Sequence, residues 1–156
     1  MENKRTLPLT VINTNARSLC PKINSLVDCF GEMEASIGVI TETWLTDGDM
    51  LDEDTENLVM KSGLRLLYRN REKNSRGFSH GGVAIMFRES VCSLKPMKLH
   101  NPAKYEVLAA SGIVKGCSRK IVIIACYLPP NYAVGRGKGA MEFVAAAVLE
   151  LSLIHI

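Results

Sequence analysis

The chain has 156 residues, 47% of them hydrophobic and 22% charged, the balance of one globular domain with enough apolar side chain to fill a core unaided. That excludes a disordered chain, and a formal net charge of +3 permits a nucleic-acid partner without demanding one. The five cysteines, Cys20, Cys29, Cys92, Cys117 and Cys126, are odd in number and lack Cys-x-x-Cys spacing, which argues against a zinc site or a disulfide framework and for a reducing compartment.

Met1-Glu2-Asn3-Lys4-Arg5 leads into a run interrupted by Pro8 and Asn13, which is no signal peptide. No apolar stretch reaches a bilayer-spanning length, so the expectation is a nuclear or cytoplasmic protein without a membrane partner. Leu7 to Asn13 reads as a first strand, centred on β-branched Thr10, Val11 and Ile12. A polar loop follows, and Pro21 suits the first turn of a helix whose apolar face is Ile23, Leu26, Val27 and Phe30. Ile37 to Thr41 is a second strand, and strand–helix–strand predicts a parallel pair.

Asp47 to Asp54 reads as an acidic turn, Glu56 to Lys61 as a short helix closed by Gly63, and Leu64 to Tyr68 as a strand. The stretch from Arg69 to Gly77 is polar and basic, hence a surface loop. Gly81 to Phe87 is the next strand. Tyr105 to Lys115 and Arg119 to Leu128 predict a hairpin about Gly116-Cys117-Ser118, ended by Pro129-Pro130. Arg136 to Gly139 is a flexible link, and Met141, Phe143, Val144, Val148 and Leu149 suggest the apolar side of a last helix.

Three strand ends carry groups suited to chemistry: Asn15, Glu42 and Tyr127. On one rim, a carboxylate would hold a hard cation such as Mg²⁺, and an amide and a phenol would donate to phosphate. Each also has a plain reading: Asn15 as a turn residue, Glu42 as a solvated strand end, Tyr127 as a core ring with a wet hydroxyl. The basic loop with Arg69, Arg71, Lys73 and Arg76 fits either a DNA-backbone contact or a solvated loop. His80, His100 and His155 have no spaced partner and read as structural or solvent-facing.

Asn15-Ala16-Arg17-Ser18-Leu19 with Lys22, Ile40-Thr41-Glu42-Thr43-Trp44-Leu45, Gly81-Gly82-Val83-Ala84-Ile85 and Tyr127-Leu128-Pro129-Pro130-Asn131 stand in an order that resembles the endonuclease domain of non-LTR retrotransposons. That domain belongs to the endonuclease/exonuclease/phosphatase superfamily. The resemblance implies an α/β fold, a two-layered α/β sandwich (DNase I-like), that nicks DNA with a divalent cation, usually Mg²⁺, beside a downstream reverse transcriptase domain. It implies Glu42 as the metal ligand, Asn15 near the phosphate and metal shell, and Tyr127 orienting the scissile phosphate. Asn131 resembles the rim Asn of the family's Tyr-x-Pro-Asn pattern, with one extra proline between.

The family's later Gly-Asp-x-Asn and Ser-Asp-His segments have no match after Asn131. Residues 7–150 are therefore expected to be a sandwich incomplete at its C-terminal side and inactive alone. Residues 151–156, Leu-Ser-Leu-Ile-His-Ile, equal one translation of a common transposase adapter and read as a non-native tail. The alternative function is a superfamily-like module that binds nucleic acid or protein without catalysis.

Overall fold

The computed structural model describes residues 9–45, 51–70, 81–99, 106–117 and 120–127, together with Ala145. Strands β1 (Val11–Asn15), β2 (Ile37–Thr41), β3 (Leu64–Arg69) and β4 (Val83–Arg88) form one sheet in the order β1-β2-β4-β3. Strands β5 (Cys92–Met97), β6 (Glu106–Val114) and β7 (Lys120–Tyr127) form a second, in that order. β1 and β2 are parallel, as strand–helix–strand predicts, and every other pairing is antiparallel. Helix α1 (Ile23–Glu32) follows a 3-10 turn at Cys20–Lys22, and α2 (Glu53–Lys61) precedes β3.

β4 explains how the layers stack. All of Val83 to Phe87 is buried, and alternation sends its residues two ways. Ala84 and Met86 pack with Leu19, Ile23, Phe30 and Val59 from the helix layer. Val83, Ile85 and Phe87 pack with Cys92, Leu94, Leu108, Ala110 and Ala125 of the second sheet. A strand covered on both faces reads as a continuous apolar run, which is why Val-Ala-Ile-Met-Phe shows no polar alternation. Arg88 closes the far end by donating to the carbonyls of Phe30 (2.9 Å) and Ala35 (3.1 Å) behind α1.

Some boundaries differ from the sequence reading. β1 starts later and runs on to Asn15. α2 begins at Glu53, inside the expected acidic turn, because Asp52 caps it: the Asp52 Oδ1 accepts from the Thr55 N–H at 2.8 Å. β5 was not anticipated; Pro96 and Lys95 disguise it, and as an edge strand it tolerates the missing donor. The Pro129-Pro130 stop, the 136–139 link, the helix expected from Met141 and the tail 151–156 lie outside the described residues.

Candidate active site

β2 delivers Glu42 by breaking its own pattern. Ile37 and Val39 face the second sheet and Ile40 the helix layer, so strict alternation would turn residue 42 towards the helices. Glu42 instead takes a left-handed backbone conformation, φ 54°, and its carboxylate meets the second sheet. Such a conformation is costly for a residue with a Cβ, so the neighbourhood must impose it. Hydrogen bonds on both sides do so. The N–H groups of Ser18 and Leu19 donate to the carbonyls of Glu42 and Thr43, both at 2.9 Å. Across the strand, Trp44 N–H donates to Gly81 O at 2.8 Å and Thr43 N–H to Gly82 O at 3.4 Å.

The second sheet reaches this point with a cross-strand pair. Glu106 opens β6 opposite Tyr127, which closes β7. Glu106 shares a face with Leu108 and Ala110, and Tyr127 with Ile123 and Ala125, the face packed against the first sheet. The Tyr127 hydroxyl donates to Glu42 Oε1 at 2.5 Å, and Glu106 Oε2 accepts from the Gly82 N–H at 2.7 Å. Gly81 and Gly82 have positive φ, 108° and 84°, and a Cβ on either would run into the Glu106 carboxylate or the Thr43 hydroxyl. Glycine is required there by both backbone and space. Thr43 is 1% exposed and its Oγ1 has no hydrogen-bond partner among the described residues, and it fills the gap above Gly82.

Asn15 stands at the exposed edge of the same end, paired with Thr41. Its Oδ1 accepts from Arg17 N–H at 3.1 Å, the turn role, which directs its amide NH₂ away from that turn. Lys22 holds the loop by donating from Nζ to the carbonyls of Ala16 and Arg17. Arg69 ends β3 opposite Val83, and its Nη1 donates to Val107 O at 3.1 Å, tying the two sheets beside Glu106. Arg71, Lys73, Arg76, Asn131 and the three histidines lie outside the described residues.

Sequence reasoning thus placed Asn15, Glu42 and Tyr127 at one end of the molecule, with Tyr127 arriving from the facing sheet. It missed Glu106. A charge on the inward face of an apolar strand was a usable signal, the same one that marks Glu42, but at a strand's entrance. The Glu106 charge is felt nearby: burial pushes the Cys126 thiol up from its usual pKa, and Glu106 adds to the rise. Chemically, Glu42 is a hard, partly buried oxygen donor in a fixed position. Among the described residues no group of three or more His, Cys, Asp or Glu gathers around a point, and Glu42 is the carboxylate that Tyr127 holds at this rim. Mg²⁺ fits that donor set, since it keeps several waters and is held by one or two carboxylates plus a substrate phosphate.

No protein-family model matches the sequence, and no curated protein does. Solved structures match in shape. An AP endonuclease from Archaeoglobus fulgidus aligns at TM-score 0.60 and 14% identity, over 92% of this chain and 52% of its own. The human Nocturnin catalytic domain with a bound sulfate aligns at TM-score 0.60 and 13% identity, over 92% and 56%. The 3′ phosphatase NExo from Neisseria, bound to a product DNA hairpin, aligns at TM-score 0.56 and 16% identity, over 91% and 49%. The chain therefore shares the DNase I-like fold of these neighbours and spans about half of their length.

Proposed function

We propose that the chain is the N-terminal part of a DNA endonuclease of the retrotransposon type, which hydrolyses phosphodiester bonds with a divalent cation and works beside a reverse transcriptase domain. The observation that carries this reading is the Tyr127–Glu42 hydrogen bond, because it spends a strained backbone and two sheets on fixing one carboxylate. A solvated strand end would need neither. The DNA-bound phosphatase among the structural neighbours supports DNA as the substrate class.

Glu42 would hold the cation, Mg²⁺ by preference. A bound cation polarises a phosphoryl oxygen and neutralises charge that develops on it. Tyr127 holds Glu42 in place, and its single phenolic proton is the one a scissile phosphate would compete for. The amide NH₂ of Asn15, turned away from its own loop, donates to the same phosphate. Arg69, Arg71 and Arg76 would bind the DNA backbone without reading sequence, and Asn131 would add a further DNA contact. On this reading the groups that activate the attacking water belong to the family's later segments, and the 156-residue chain by itself would not cut DNA.

The test is plasmid nicking against Mg²⁺ concentration, using a domain completed with Gly-Asp-x-Asn and Ser-Asp-His segments. Glu42→Gln should leave the fold intact by circular dichroism and lower nicking by about tenfold to a thousandfold. A completed domain that binds DNA and never cuts it would make the chain a binding module instead.

A further inference from the structure

The cleavage chemistry proposed above gives Glu106 no part, yet its carboxylate is built into the site. Glu106 and Tyr127 are directly opposite on β6 and β7, and they grip neighbouring strands of the first sheet. Tyr127 takes Glu42 beyond β2, and Glu106 takes Gly82 ahead of β4. Gly81 and Gly82 then pass the hold on, since their carbonyls accept the N–H groups of Trp44 and Thr43, the residues that follow Glu42. A charged acceptor on a backbone N–H is stronger than a neutral one, and here it works inside a sheet-to-sheet contact. Glu42 and Trp44 both sit at positive φ, 54° and 57°, conformations that relax unless something holds the segment.

We propose that Glu106 is a positioning residue for Glu42: it latches the Gly81-Gly82 turn, and through that turn it keeps the 42–44 segment in its left-handed form. The proposal rests on the reading that Glu42 binds a cation. It adds that the cation affinity of Glu42 depends on a carboxylate that does not itself bind the metal. Residues that orient a ligand from behind commonly change affinity by about ten- to a hundredfold when removed.

Terbium(III), a hard oxygen-seeking ion, can be titrated into the full 156-residue chain and read by luminescence excited through Trp44, the single tryptophan. Glu42→Gln should lose most of the binding. Glu106→Ala should weaken it by about tenfold or more, whereas Glu106→Gln, whose amide oxygen still accepts from Gly82, should stay close to the parent. Glu106→Ala binding terbium like the parent overturns the proposal. So does Glu106→Gln falling as far as Glu42→Gln, which would make Glu106 a ligand. Amide hydrogen exchange gives a second readout that needs no metal. Gly82 and Trp44 amides should exchange faster in Glu106→Ala than in the parent, and unchanged in Glu106→Gln, when global stability by denaturant is matched. If Glu42→Gln binds terbium normally, the cation reading fails while exchange still decides the latch; unchanged exchange in Glu106→Ala overturns it.

Discussion

Glu42 holds a conformation that most side chains avoid, and its neighbours can be asked what that costs. At φ 54° a glycine would sit without strain, although elsewhere in a strand or its extension glycine is the weaker choice. Both Glu42→Ala and Glu42→Gly lose the carboxylate and the Tyr127 bond, so their difference isolates the backbone. Thermal melts should find Glu42→Gly more stable than Glu42→Ala by about 1 kcal/mol. Equal stabilities would mean the left-handed turn stores nothing. A second residue-scale expectation concerns Cys126, whose thiol is raised first by burial and second by Glu106. Glu106→Gln removes the second cause only, so the pH profile of iodoacetamide alkylation should move down part of the way towards an ordinary thiol. The fully buried Cys92, raised by burial, should stay inert until the protein unfolds, and exposed Cys20 should react first.

Among the elements, β2 depends on a small residue at one position. A Cβ on Gly38 would lie 2.6 Å from the Phe30 ring, and Phe30 is fully buried. Gly38→Ala should therefore destabilise by about 1–3 kcal/mol, measured in urea, because helix and sheet cannot separate without opening the core. Asp52 gives α2 a pH-sensitive start. Its carboxyl is held below the usual range by the backbone hydrogen bond from Thr55 and then by the Thr55 hydroxyl. The capping contribution is thus present above the ordinary value of 3.8 and fades as pH falls below it towards the lowered one. Asp52→Ala should melt earlier than the parent at neutral pH, with the gap closing at acid pH. Long apolar runs made β2, β4, β6, β7 and α1 legible, since burial on one or both faces writes itself into the sequence. β5 was illegible because an edge strand needs neither a full apolar run nor every donor. The start of α2 was misread because Asp, Glu and Thr serve a cap as readily as a turn.

At the scale of the molecule, two sheets meet at one end and their pairing makes the site. Strand ends and their motif order pointed to Asn15, Glu42 and Tyr127. Nothing in local sequence says that β7 faces β2 rather than lying beside it, and for that reason the Tyr127–Glu42 and Glu106–Gly82 contacts emerged only from the fold. Arg69 carries two duties on this account. Arg69→Ala should lower stability through the lost bond to Val107 as well as DNA affinity, and changing Arg69, Arg71 and Arg76 together should flatten the salt dependence of DNA binding. An unchanged salt slope would leave the loop as solvated surface.

On the proposed function Tyr127 acts on the chemistry through Glu42, and a double-mutant cycle measures that coupling. In the completed domain, Mg²⁺-dependent nicking would be followed for Tyr127→Phe, Glu42→Gln and the double variant, each checked for folding. Strong coupling is expected: the double variant should lose little more than Glu42→Gln alone, because once residue 42 is a poor cation ligand its positioning by the phenol no longer matters. Losses that simply multiply, or a Glu42→Gln protein that nicks like the parent, would contradict it.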